Sequence, residues 1–146
     1  MNAIDYLIEE HNSHRKLLKN IEKETHLFEK FREELIHHVN IEEAILYPSL
    51  LKVPALEIIT RAAWEEHNLI MQLIQEIDQT PRYNEIWLSK VIALKRLVLN
   101  HIDDEEVDLF PKIRSMASPE FLSDIGKQMA YQKQSTSSEE IIYPEE

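Results

Sequence analysis

The sequence has no cysteine among its 146 residues and only one glycine, Gly126. The first absence excludes disulfides, thiolate zinc sites, cysteine-ligated iron-sulfur clusters and thiol catalysis, so any bound metal must sit on histidine and carboxylate. The second excludes glycine-rich phosphate loops of the P-loop or dinucleotide type, and a chain so poor in turn formers leans toward helix. No apolar run approaches the roughly 20 residues a membrane span needs. The opening Met1-Asn2-Ala3-Ile4-Asp5 lacks the basic and apolar regions of a secretory signal. The expectation is a soluble, cytoplasmic protein. Basic clusters are missing too: 16 Lys and Arg stand against 27 Asp and Glu, a net charge of −11. That balance argues against nucleic acid or an anionic membrane as partner. What remains is a hydrophobic fraction of 43 %, enough for a core of ordinary size.

Apolar residues recur at helical spacing almost throughout, and no period-2 alternation is sustained. Ile4, Leu7, Leu18, Ile21 and Phe28 form one stripe, with His11 and His14 on it, and predict helix A over about residues 2–27. Phe31, Leu35, His38, Glu42 and Ile45 continue the rule in helix B. Pro48, which lacks an amide proton, should kink or end that helix. Pro54 suits a first helical turn, and helix C runs from about Ala55 to Gln79 with Ala63, His67, Ile70, Ile74 and Ile77 facing inward. Helix D restarts near Asn84 and carries Val91, Leu94, Val98, His101, Glu105 and Leu109 toward Pro111. Ser118-Pro119-Glu120, a cap followed by proline, opens a fifth helix. Residues 134–146 are polar and acidic and read as a tail outside a domain of residues 1–133, although Ile141, Ile142 and Tyr143 offer something to dock.

The chain repeats itself. Glu9-Glu10-His11-Asn12 matches Glu65-Glu66-His67-Asn68, and the eleven residues from His38 to Pro48 match those from His101 to Pro111. Each of the longer segments reads H-x-x-x-E-E-x-x-L-[YF]-P. Two helical hairpins of one design therefore predict an up-down-up-down four-helix bundle with an additional C-terminal helix, all-α in class.

Within each repeat a histidine and a glutamate lie four residues apart, about 40 degrees off alignment on one helix face. One such pair occurs by chance on many solvated helices. Here it occurs twice, each time where a core residue belongs. Ionised glutamates and imidazoles on four inward faces would cost several kcal/mol per unpaired charge, and nothing basic lies on those stripes to offset it. A pair of cations resolves the conflict, with glutamates bridging and neutral imidazoles filling the remaining positions. Nitrogen and oxygen donors favour iron, with manganese or zinc as substitutes. His26 and His37 fall off the stripes and read as solvated. Glu10, Glu43, Glu66 and Glu106 point elsewhere and read as surface or hydrogen-bonding groups. Trp64 and Trp87 read as packing.

At these residues the sequence resembles the hemerythrin-like, or HHE cation-binding, family over about residues 3–114. The resemblance implies a carboxylate-bridged pair of irons, oxo- or hydroxo-bridged, with His11, His38, Glu42, His67, His101 and Glu105 as ligands. Hemerythrins proper hold a fifth histidine one turn after the helix C ligand; Met71 stands there, and His14 on helix A is the candidate to replace it. A histidine-rich shell donates less negative charge than a carboxylate-rich one, and no nucleophile or spare carboxylate pair is left for acid-base work. The expected function is binding or sensing of O2 or NO as a small-molecule ligand rather than catalytic turnover. The alternative is iron handling or repair under nitrosative or oxidative stress, and a homodimer or a protein partner met through the tail is left open.

Overall fold

The computed structural model describes residues 1–136, and among them every regular element is helical. Four long helices, α1 (Ala3–Asn20), α2 (Leu27–Ile41), α4 (Pro54–Asp78) and α5 (Glu85–Asp104), form the bundle. The second helix of each hairpin continues through one π-helical turn and a short α-helix: Glu42–Leu46 then α3 (Tyr47–Leu50), and Glu105–Leu109 then α6 (Phe110–Met116). A fifth long helix, α7 (Pro119–Thr136), lies outside the ring. Helix α1 packs on α2 and α5, and α4 on the same two, as an up-down-up-down bundle requires; α7 rests on α1, α2 and the first π turn. No helix of the described residues is long and apolar enough to cross a membrane.

The expected starts hold. Asn2 accepts from the amide of Asp5 at 2.9 Å, Asn84 from that of Ile86 at 2.9 Å, and Ser118 from that of Phe121 at 3.1 Å, each satisfying an amide that the first helical turn leaves unpaired. Two expectations are corrected. Helix A stops at Asn20 instead of near 27: the amides of Lys23 and Glu24 both bond back to the Asn20 carbonyl, and the chain reverses without glycine or proline. Buried Ile21 and Phe28 pin the two sides of that reversal. The prolines do not break their helices either. The amide of Tyr47 bonds back five residues to Glu42, and that of Phe110 to Glu105, so each π turn widens the ladder just ahead of Pro48 or Pro111 and the helix goes on. Helix α7 runs through Thr136, and the docking expected of Ile141, Ile142 and Tyr143 lies outside the described residues.

Two apolar clusters fill the bundle. One, around Leu18, Phe31, Ile70, Ile74, Trp87 and Leu94, occupies the end near the α1–α2 reversal. The other, around Ile4, Leu7, Leu46, Tyr47, Phe110 and Met129, occupies the end covered by α7. Between them the inward positions belong to His11, His14, His38, Glu42, His67, His101 and Glu105, all buried.

Gly126 is the point at which α7 meets the N-terminus. A Cβ there would lie 2.4 Å from the Met1 carbonyl oxygen and 3.0 Å from the Ala3 nitrogen, both backbone atoms that cannot rotate away. Alanine would gain about 1 kcal/mol of helix propensity, but the overlap costs about 1–3 kcal/mol and forces α7 off α1. Gly126→Ala is therefore expected to lower the thermal midpoint, by differential scanning calorimetry, despite its better propensity.

Candidate metal centre

Helical spacing sends one donor inward from each helix, and the π turns begin at the glutamates themselves. Glu42 and Glu105 are the first residues of their π turns, and Tyr47 and Phe110 the first residues after them. The widened turn thus lies directly beside each inward carboxylate.

The six expected donors converge in two groups: His11, His38 and Glu105, and Glu42, His67 and His101. Each group takes two imidazoles from one hairpin and a carboxylate from the other. The Nε2 atoms of His11 and His38 are 3.2 Å apart, and those of His67 and His101 are 3.1 Å apart. The carboxylates tie the halves together. Glu42 Oε1 is 2.9 Å from His38 Nε2 and 3.2 Å from His67 Nε2; Glu105 Oε1 is 3.2 Å from His11 Nε2 and 3.5 Å from His101 Nε2. Two donors at right angles on one octahedral ion, each about 2.1 Å from it, stand about 3 Å apart, so these spacings suit shared ligation.

The far nitrogens are held as well. Nδ1 of His11 donates to Glu106 at 2.7 Å, of His38 to Glu10 at 2.8 Å, of His67 to Glu43 at 2.8 Å and of His101 to Glu66 at 2.7 Å. The pattern obeys the sequence repeat: Glu10 and Glu66 serve the histidine of the next helix, Glu43 and Glu106 the histidine of the other hairpin. Each bond fixes the ring orientation and leaves Nε2 as the donor facing inward. The four glutamates read from sequence as surface or hydrogen-bonding groups are the latter. Removing one, as in Glu66→Ala, is expected to weaken metal affinity about 10- to 100-fold while leaving the helices intact, measurable by competition with a chelator of known affinity. Two further contacts reach this layer: Lys133 of α7 donates to Glu10 at 3.1 Å, and Arg15 to Glu106 at 2.9 Å.

The electrostatics of the polypeptide alone show what an ion would replace. Burial pushes His67 down, but hydrogen bonds to Glu42 and Glu43 and the charges of Glu42 and Glu105 outweigh it and raise its pKa to about 9. His38 is likewise opposed by burial yet held well above its ordinary value by Glu42 and Glu10. Burial raises Glu42, and His38 and His67 overcome this to hold it well below the usual carboxylate range. Protons on imidazoles thus stand in for a cation. Even so, apart from these imidazole nitrogens, neither oxygen of Glu42 nor Oε1 of Glu105 has a hydrogen-bond partner among the described residues. Buried carboxylate oxygens beside converging imidazole nitrogens are the chemistry of a cation site, and the donor set fits a pair of metal ions.

His14 lies elsewhere in the same layer. It is buried with its ring 5.2 Å from that of His38 and edge-on to it, outside both donor groups, and its Nδ1 has no partner among the described residues. Burial, then the neighbouring His38 and His11, push it down to about 3, so it is neutral. Its repeat mate Ile70 is a core residue, as is Met71. His26 is exposed and His37 half-buried, away from the donors. Sequence reasoning missed Tyr47, whose hydroxyl donates to Glu105 Oε2 at 2.6 Å and lies 3.3 Å from His67 Nε2. The signal was present: it is the Y of the repeated motif. A cleft of about 320 Å³ leads to Glu105 past Ala62, Glu66, Asp104 and Asp108.

Comparison with known proteins agrees with this geometry. A search of curated proteins returns no match. Among solved structures, the crystal structure of a hemerythrin HHE cation binding domain-containing protein from Mycobacterium kansasii superposes with a TM-score of 0.79 at 23 % identity, covering 92 % of this chain and 86 % of that one. At that identity the likeness speaks for the fold. The model of the hemerythrin HHE cation binding domain matches residues 2–113, most of the chain. The protein belongs to the hemerythrin HHE cation-binding domain family.

Proposed function

We propose that the chain is a non-haem di-iron protein that binds or senses O2 or NO, with His11, His38, Glu42, His67, His101 and Glu105 holding the iron pair. The observation that carries this reading is the pairing of two buried three-donor groups, linked by Glu42 Oε1 and Glu105 Oε1, with each of their four imidazoles oriented by its own carboxylate. Bound iron supplies a ferrous-ferric change and open positions for a diatomic ligand. The polypeptide does the rest. Its apolar clusters exclude water from both ends, its four outer glutamates keep imidazole Nε2 turned inward, and its donor set of neutral nitrogen with two carboxylates balances charge without trapping one oxidation state. His14, buried and neutral with its ring edge-on to that of His38, stands beside the His11–His38 group as a fifth imidazole without belonging to it.

A second reading, iron handling, is favoured by the cleft beside Glu105, whose acidic lining offers a cation a path to a ligand. One experiment separates them. Protein produced with iron available is assayed for metal and followed by absorption through reduction and re-exposure to air. About two irons per chain and a stable oxygen-dependent spectrum support ligand binding. Iron that is passed readily to a chelator, with no such spectrum, supports handling. Absence of iron refutes both.

A further inference from the structure

One residue of the centre breaks the repeat. Position 47 is tyrosine and its mate at 110 is phenylalanine, both buried. Phe110 stacks on His11 with ring centroids 5.6 Å apart, and Tyr47 stacks on His67 at 5.1 Å. An apolar ring therefore fills either place, and what distinguishes them is the Tyr47 hydroxyl. That hydroxyl donates to Glu105 Oε2 at 2.6 Å, the length of a bond to an ionised acceptor. The other oxygen of Glu105, Oε1, faces His11 at 3.2 Å and His101 at 3.5 Å. One carboxylate thus spans the centre with its two ends differently engaged. Glu42, its repeat mate, has no such donor: apart from the imidazole nitrogens of His38 and His67, neither of its oxygens has a hydrogen-bond partner among the described residues. The same motif builds the two halves, yet one bridging carboxylate shares its lone pairs with a phenol and the other does not.

We infer that Tyr47 is a positioning residue that makes the two metal positions chemically unequal, its hydroxyl, 3.3 Å from His67 Nε2, drawing on Glu105 Oε2 and weakening that carboxylate's donation on the Glu42, His67 and His101 side. The inference rests on the paired-iron reading. A carboxylate whose lone pair is engaged by a hydrogen bond neutralises less of a cation's charge, so this ion is the more easily reduced of the two. The phenol stays protonated and acts through Glu105.

The test loads wild type and Tyr47→Phe with 57Fe, confirms equal iron per chain, and compares Mössbauer spectra and midpoint potentials. The variant keeps the ring that position 110 already tolerates and loses the hydroxyl alone. One quadrupole doublet is expected to shift while the other stays, with a lower midpoint potential. Doublets that are unchanged, or that shift together at an unchanged potential, overturn the inference. So does a tyrosinate-to-iron charge-transfer band in the visible spectrum of the ferric wild type, which would make Tyr47 a ligand instead of a donor; that measurement needs no variant. An iron-free wild type defeats the metal reading itself, and the iron assay reveals this before any spectrum is taken.

Discussion

Glu42→Ala is expected to disrupt the centre more severely than loss of any one histidine, cutting metal content from about two ions per chain to less than one. The reason is its place. Oε1 of Glu42 lies within 3.2 Å of imidazoles from both hairpins, so truncation removes a donor from each half, whereas loss of His101 removes a donor from one. The polypeptide also suffers. Glu42 is the chief partner of the buried, protonated His38 and of His67, and leaving such charges uncompensated costs about 3–5 kcal/mol. Metal content by elemental analysis and thermal midpoint by calorimetry check the two effects together. Glu42→Gln keeps the shape and a hydrogen-bonding oxygen but not the charge, and is expected to fold better than alanine while binding metal as poorly. Full metal content in either variant would sink the assigned centre. His26→Ala, at an exposed position, is the control and should alter neither property.

Much of this centre was legible in the sequence because the same physical rule operates twice. A charged residue at a position where helical spacing demands a core residue conflicts with burial, and conflicts recurring at His38 and Glu42 and again at His101 and Glu105 mark a site. The bundle followed from the stripes for the same reason, and the residues expected inside, from Ile4 to Leu109, are buried almost without exception. What was not legible depended on local backbone detail or on contacts between distant elements. The reversal after Asn20 carries no glycine or proline, so nothing in residues 21–26 announces it. Pro48 and Pro111 read as helix breakers because a missing amide breaks an α-ladder, yet a π turn five residues long absorbs each one. The Lys133–Glu10 contact joins residues 123 positions apart, beyond the reach of any spacing rule.

His14 shows a subtler gap. Its stripe position predicted burial, which holds; its candidacy as a fifth ligand came from the family resemblance, because Met71 stands where hemerythrins proper hold a histidine. Its ring instead leans on those of His38 and Phe31, and helical spacing does not fix which way a ring nitrogen faces. Three residues separate it from His11, so the two side chains lie about 60 degrees apart around the axis. His11 therefore points to the middle of the bundle while His14 points toward α2.

The stability of the metal-free protein should peak near pH 6–7 and fall on both sides, for opposite reasons. His67 has a folded pKa of about 9, above its unfolded value, so its contribution is fully present below about pH 6.5 and is lost as pH rises through 9. His38, also raised, adds to the same loss. His14 has a folded pKa of about 3, below its unfolded value; its contribution is present above about pH 6.5 and is lost as pH falls toward 3. Glu10, held at about 2, adds to the acid-side loss once pH drops below the ordinary carboxylate range. Metal reverses the alkaline limb. An ion can bind Nε2 of His38 and His67 only after a proton leaves, so affinity rises with pH across the interval in which the metal-free protein weakens. The gap in thermal midpoint between loaded and metal-free protein should therefore be small near pH 6 and widest near pH 9, and a binding titration near pH 7 should release protons, seen as a heat that depends on the buffer's own ionisation enthalpy. A gap that stays constant from pH 6 to 9 would mean that the imidazoles holding protons are not the groups that hold the metal.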